Sequence, residues 1–184
     1  EAYHDTWKHP HRNEISMILK QFHWISLLEV GCGGGANMVN ILKHHKGKQV
    51  GGIDVSPDAI AFCESIFDGA FLKVGSVEDI MMSDSSTDIV LSDMTMIYVD
   101  KPSKAIKEIK RVARQYVLFC ELHTESWYSK MKLKLSSGYN AHNYKKLLKK
   151  HGFEDIRLVK FGPETWPGGN PQKDYGYFIF ARVP

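Results

Sequence analysis

The chain has 184 residues, with 24 Lys and Arg against 21 Asp and Glu and a formal net charge of +3. With 43% hydrophobic residues and only 15 glycines, it is neither disordered nor collagen-like. No run approaches the roughly 18 apolar residues of a spanning helix, and the charge is too evenly balanced to point to nucleic acid. A chain of this length buries roughly 70% of its unfolded surface and needs no disulfide to hold a core. Cys32, Cys63 and Cys120 are odd in number and far apart. They fit a reducing, cytoplasmic setting better than a disulfide framework. The chain opens at Glu1 rather than Met, as an excised piece of a longer protein would, and an upstream targeting segment stays open.

In chain order, Ile15, Ile18, Leu19 and Phe22 predict a helix over 12–22. Residues 26–30 form a short apolar run that stops at glycines, so a strand ends there. A helix follows from about 35 to 46, carrying Met38, Val39, Ile41 and Leu42. Residues 49–55 read as a second strand. Ser56 caps the next helix, with Pro57 at its first position. Residues 70–74 and 87–92 read as a third and a fourth strand. Asp100 and Pro102 open a helix with Ala105, Ile106, Ile109, Val112 and Ala113 on one face. Residues 116–121 predict a fifth strand. Tyr144, Leu147 and Leu148 mark a last helix that Gly152 ends. Strands near 156–161 and 175–182 close the chain. Their Gly- and Pro-rich connection, 162–174, makes that last pair antiparallel.

The alternation of strand and helix predicts one α/β domain over 1–184, with a doubly wound, mostly parallel seven-stranded sheet and an antiparallel last strand. Residues 1–25 are expected to form an N-terminal helical or lid segment. Residues 123–139 and 162–174, like Tyr3 to His11, follow no regular period yet hold Trp7, Trp127, Tyr128 and Trp166. They are expected to be loops, with at least one of these aromatics lining a substrate site. Charge is uneven. Six acids and no Lys or Arg lie between 76 and 100, and seven lysines and no acid between 126 and 153. Lys145, Lys146, Lys149 and Lys150 read as the solvated face of the last helix.

The most informative stretch is Glu29-Val-Gly-Cys-Gly-Gly-Gly35. A strand ends, the chain turns tightly, and a helix begins with free N–H groups and a positive dipole end. Gly31 and Gly33 allow positive φ and remove side chains where a ligand touches backbone. Asp54 ends the second strand about 20 residues on, where an acid accepts both hydroxyls of a ribose. Together these features favour a nucleoside ligand. Gly31-x-Gly33-x-x-Ala36 also fits a loose dinucleotide fingerprint. However, Glu29 beside the loop would repel a pyrophosphate and suits an ammonium group, held directly or through water.

From these residues the sequence resembles the class I S-adenosylmethionine-dependent methyltransferases of the small-molecule type, over nearly the whole chain. Leu27 to Gly35 is similar to their first motif, and Gly52-Ile-Asp-Val-Ser-Pro57 to the second, whose acid holds the ribose. Val74 to Ile80 resembles the third, along the adenine. Asp88 to Met94 resembles the fourth-strand motif that faces the methyl donor, and Glu108 to Val112 the helix before the fifth strand. The resemblance implies a Rossmann-like fold, S-adenosyl-L-methionine as cofactor and methyl transfer to a small-molecule acceptor. No membrane partner is expected, because no run could span one, and nucleic acid is disfavoured by the balanced charge and by Ser92-Asp93-Met94 standing where nucleic-acid amino-group methylases carry Asn-Pro-Pro-Tyr. The resemblance also implies cofactor contacts at Glu29, Gly31, Cys32, Gly33, Gly35, Asp54, Val55, Ser76, Val77, Glu78 and Ser92. Many relatives carry Asp where Ser76 stands, and Ser76 accepts more weakly from an adenine amino group. By position Asp93, Tyr98 and His123 are candidates for a catalytic role, should the acceptor need to lose a proton.

Competing readings are weaker. Tyr128-x-x-x-Lys132 matches the catalytic pair of short-chain dehydrogenases, but the glycine loop of that family is absent. A cofactor-binding protein without transferase activity is the other alternative. His4, His9 and His11 cluster, as do His44 and His45, without the spacing of a metal site, so surface histidines and no metal are expected. The three cysteines are expected to be small core or loop residues.

Overall fold

The computed structural model describes residues 7–184. Seven strands, β1 (Ser26–Val30), β2 (Gln49–Asp54), β3 (Leu72–Val74), β4 (Thr87–Asp93), β5 (Ala113–Leu122), β6 (Glu154–Lys160) and β7 (Gly176–Arg182), form one sheet in the order β3-β2-β1-β4-β5-β7-β6. The first five are parallel to one another, and β7 runs antiparallel between β5 and β6. The predicted fold class is therefore the observed one.

The helices are α1 (His11–Leu19), α2 (Ala36–His44), α3 (Pro57–Glu64), α4 (Pro102–Val112), α5 (Trp127–Ser137), α6 (Tyr144–Lys150) and α7 (Gln172–Tyr175). They cover both faces of the sheet, which is why the strands read as continuous apolar runs rather than alternating ones. Neighbouring residues divide between two cores. Leu28, Val90 and Phe119 pack with α4 and α6 residues such as Ile106, Ile109, Tyr144 and Leu148. Leu27, Leu91 and Leu118 pack on the other face with Ile15, Leu19, Ile41 and Ile60 of α1, α2 and α3.

Local chemistry sets the element ends. The Ser56 hydroxyl accepts from the Ala59 N–H and Pro57 follows at the first helical position, as predicted. One expectation is overturned. Residues 123–139 are not an irregular loop, because 127–137 form α5. Ser126 caps it by accepting from the Ser129 N–H, and Gly138 ends it at φ 75°. The first helix also ends at Leu19, short of Phe22, which instead packs against Tyr116 at 4.6 Å.

From β1 the chain moves outward to β2 and β3, and later returns to β4 on the other side. The strand order thus reverses between β1 and β4. In an open α/β sheet the crevice beyond the strand ends at such a point is the ordinary place for a ligand.

Candidate active site

A cavity of about 720 Å³ opens at this switch point, within the usual size for a small-molecule site. Gly31 lies on one wall, Asp54 and Val55 at the end of β2, and Ser76, Val77 and Glu78 after β3. Met94, Thr95 and Tyr98, from the turn after β4, close the opposite side. Six of the eleven residues marked as cofactor contacts therefore line one cavity. Of the three catalytic candidates, Asp93 and Tyr98 line it too.

The glycine loop is built as its sequence suggests, with positive φ at Gly31, Gly33 and Gly35. The first two are glycine for different reasons. A Cβ at Gly31 would lie 1.9 Å from Thr95 Oγ1, so this glycine makes room for the turn after β4. A Cβ at Gly33 would meet nothing within 4 Å. Asp54 Oδ2 accepts the Gly33 N–H at 2.8 Å, and Oδ1 accepts the Ser56 N–H at 2.9 Å. The carboxylate thus locks the loop to the end of β2, and each oxygen keeps a lone pair for a ligand hydroxyl. Cys32 and Gly35 lie beneath this wall. The Cys32 thiol packs where a Cβ of Gly52 would be, and Phe67 does the same at Gly35. All three cysteines are buried and free, as expected for small core residues.

Two acidic clusters sit under the crevice, one on each face of the sheet. On the α1 side, Asn37 Nδ2 donates to Glu29 Oε1 at 2.6 Å and to Asp93 Oδ2 at 2.9 Å. Asp93 Oδ2 also accepts from His11 Nε2 at 2.8 Å and from Arg12 at 3.1 Å. Burial pushes the Glu29 carboxyl up to about 8 against this hydrogen bond. Burial would push Asp93 up as well, but His11, Arg12 and Asn37 outweigh it and hold that carboxyl well below the usual range. Glu29 Oε2, Asp93 Oδ1 and Asn37 Oδ1 are buried without a hydrogen-bond partner. Three unpartnered acceptors around one shared amide suit a cation that brings several N–H donors.

On the other face, Glu121 Oε1 accepts from the Ser92 hydroxyl and from the backbone N–H groups of Thr95 and Met96, at 2.8–2.9 Å. Burial pushes the Glu121 carboxyl up to about 8. Ser92 is thus turned into the core toward Glu121 and not toward the cavity. Glu121, Asn37 and Thr95 were missed by sequence reasoning. Only their nearness to strand ends and to the first turn of α2 could have suggested them.

His123 is also placed elsewhere. Its Nδ1 accepts the Tyr144 N–H at 3.1 Å, and burial lowers its proton affinity. Tyr128 and Lys132 lie exposed on α5 and line no part of the cavity, which leaves the dehydrogenase pair without a site.

The expectation of surface histidines fails at His11, which is only 1% exposed. Its ring lies 4.5 Å from Trp166, and Trp166 in turn stacks on Phe161 at 5.8 Å and 3°. Trp166 therefore ties the 162–174 connection to the core. None of Trp7, Trp127 and Trp166 lines the 720 Å³ cavity. Residues 1–6, part of the expected N-terminal loop, lie outside the described residues. Among the described residues His11, Asp93 and Cys120 bring ligand atoms within 4.8 Å of one another. Asp93 already takes three donors there, one of them the Arg12 cation.

Comparison with known proteins agrees with this geometry. Residues 28–120, just over half of the chain, match the family described as "Methyltransferase domain". The chain is 24% identical over 152 residues to 2-methyl-6-phytyl-1,4-hydroquinone methyltransferase 1, chloroplastic, of Oryza sativa subsp. japonica, covering 79% of this chain and 46% of that one. It thus spans less than half the length of the curated relatives it matches. Among solved structures it is similar to an S-adenosylmethionine-dependent methyltransferase of Thermotoga maritima, described as a possible histamine N-methyltransferase. The TM-score is 0.71 at 19% identity, over 97% of this chain and 91% of that one. It is also similar to geranyl diphosphate C-methyltransferase of Streptomyces coelicolor, with TM-score 0.74 at 16% identity, over 94% and 78%. At these identities the structural likeness is one of fold.

Proposed function

Because the chain belongs to the methyltransferase-domain family, we propose that it transfers a methyl group from S-adenosyl-L-methionine to a small-molecule acceptor. The observation that carries this reading is the set of unpartnered acceptors on Glu29, Asp93 and Asn37 beside a glycine loop locked by Asp54. The residues fit the cofactor at each end. Asp54 would take the ribose hydroxyls. Val55 and Val77 would flank the base, with Ser76 and Glu78 at its polar edge. Asp93 would take the ammonium of the methionine end, joined by Glu29 as that cation displaces the Glu29 proton. When bound, the cofactor supplies an electrophilic methyl group on a sulfonium, so the protein's part is position and exclusion of water.

The side chains near the reacting end are suited to positioning. Asp93 is a weak base, since its proton affinity is held low by His11 and Arg12. Tyr98 is exposed at the cavity edge, and burial of its oxygen together with Tyr139 raises its proton affinity. At neutral pH it is a phenol that donates a hydrogen bond to an acceptor rather than removing a proton. No general base is assigned. The phytyl hydroquinone, histamine and geranyl diphosphate named for the similar proteins are all small molecules, which supports a small-molecule acceptor here.

The test is transfer of a labelled methyl group from S-adenosylmethionine to a panel of hydroquinones, amines and prenyl diphosphates. Turnover on one class supports the reading. Cofactor binding with no transfer to any of them would favour a binding protein instead.

A further inference from the structure

The helix α5 turns its apolar stripe away from the protein. Trp127 is 74% exposed and Leu135 83%, and Tyr128 and Met131 are exposed beside them. At roughly 100° per residue, Trp127, Met131, Leu135 and Tyr128 fall within one arc of about 100°. Leu133, the buried residue of this helix, lies on the opposite side. Lys130 and Lys134 flank one edge of the apolar arc, and Lys132 flanks the other.

The neighbouring surface carries the same charge. Residues 126–153 hold seven lysines and no acid. Glu125 and Lys145 approach to 3.9 Å, which sets the start of α6 beside the start of α5. Lys145, Lys146, Lys149 and Lys150 are exposed on α6. At the other end of α5, Lys134 pairs with Asp100 at 2.9 Å, and Tyr139 meets Tyr98 edge-on at 5.7 Å. Asp100 and Tyr98 line the cavity, so the C-terminal end of α5 lies beside the cavity rim.

We propose that α5 is a lipid-docking helix, which seats Trp127, Tyr128, Met131 and Leu135 among the acyl chains of an anionic membrane surface while the flanking lysines meet the head groups. Apolar residues with an aromatic pair, bordered on both sides by lysines, are the composition of a helix that lies in the membrane interface. A protein partner of the same size would need its own acidic rim around an apolar groove. An anionic bilayer supplies both without further design. No helix among the described residues is long and apolar enough to cross a membrane. This revises the expectation of no membrane partner, which rested on the absence of a spanning run. Docking is independent of methyl transfer and is read without catalysis.

The experiment is co-sedimentation with vesicles of phosphatidylcholine alone and of phosphatidylcholine with about 30% phosphatidylglycerol. The bound fraction should rise roughly tenfold or more on the anionic vesicles and fall by more than half in about 0.5 M salt. Trp127→Ala/Leu135→Ala should lower binding roughly tenfold with an unchanged thermal transition, because both side chains are exposed. Lys130→Glu/Lys132→Glu should remove the preference for anionic vesicles. Equal, low sedimentation on both vesicles would overturn the proposal. So would binding that survives the apolar double variant. A concentration-dependent dimer that this variant abolishes, without vesicle binding, would assign the face to a second copy of the chain.

Discussion

Gly31 and Thr95 are in contact across the crevice, so closely that a Cβ on Gly31 would lie 1.9 Å from Thr95 Oγ1. The Thr95 hydroxyl donates to the Val30 carbonyl at 3.1 Å, which joins the turn after β4 to the glycine loop after β1. Gly31→Ala must therefore both strain a φ of 71° and displace Thr95. The expected cost is about 2–4 kcal/mol. Thr95→Ala alone should cost about 1 kcal/mol through the lost hydrogen bond. The double variant should be more stable than the sum predicts, because the two closest contacts, to Thr95 Oγ1 and Cγ2, are gone and only the backbone strain and a 2.7 Å approach to the remaining Cβ are left. Urea unfolding of the four proteins measures this coupling, and strict additivity would show that the contact does not govern the site.

The two buried glutamates make stability depend on pH in an unusual direction. Glu29 and Glu121 are pushed up to about 8 from 4.5 by burial. Between those values the folded protein holds protons that the unfolded chain has lost, so stability falls as pH rises. His9, His123, His142 and His151 work in the opposite sense, because burial lowers their proton affinity, but only below about 6.5. From pH 6.5 to 8 the glutamates act without the histidines, while Cys63, whose thiol the hydrogen bond with Cys32 holds below its ordinary value, works in the opposite sense. Over this window, stability without cofactor should fall by on the order of 1 kcal/mol per glutamate. Glu29→Gln and Glu121→Gln should each flatten the slope by about half, as followed by thermal unfolding across pH. A parent protein whose stability rises through this window would contradict the assignment.

The tryptophans separate by what they touch. Trp166 stacks on Phe161 and lies against His9 and His11, so Trp166→Ala should cost about 2–4 kcal/mol. Trp127→Ala should leave stability within about 0.5 kcal/mol, because its ring is exposed. Differential scanning calorimetry of the two variants decides this. Equal losses would mean that α5 is more tightly packed than its exposure indicates.

Much of the fold was legible because local and tertiary signals agree. The runs Leu27-Leu28 and Ile89-Val90-Leu91 need two covered faces, and the glycines after Val30 need a tight turn. The error at α5 has a physical cause. Trp127, Met131 and Leu135 do repeat at four-residue spacing, but Leu133 lies on the opposite side, so the helix carries apolar residues on both faces and the period by which helices are usually read is blurred. The burial of His11 was not legible at all. It depends on Asp93, 82 residues away, and on Trp166, further still. Asp54 and the loop were visible from their spacing. The Asn37 amide between Glu29 and Asp93 was not, since nothing local marks an asparagine in the first turn of a helix as a bridge.

The claim on which the account depends is that Asp54 holds the nucleoside end of S-adenosylmethionine. Calorimetric titration with S-adenosylhomocysteine and, separately, NAD tests it on the wild type and on Asp54→Ala. S-adenosylhomocysteine should bind clearly more tightly than NAD. Asp54→Ala should weaken that binding by about 1.5–3 kcal/mol, through loss of charged hydrogen bonds. A preference for NAD, or an Asp54→Ala variant that binds S-adenosylhomocysteine as well as the parent, would contradict it.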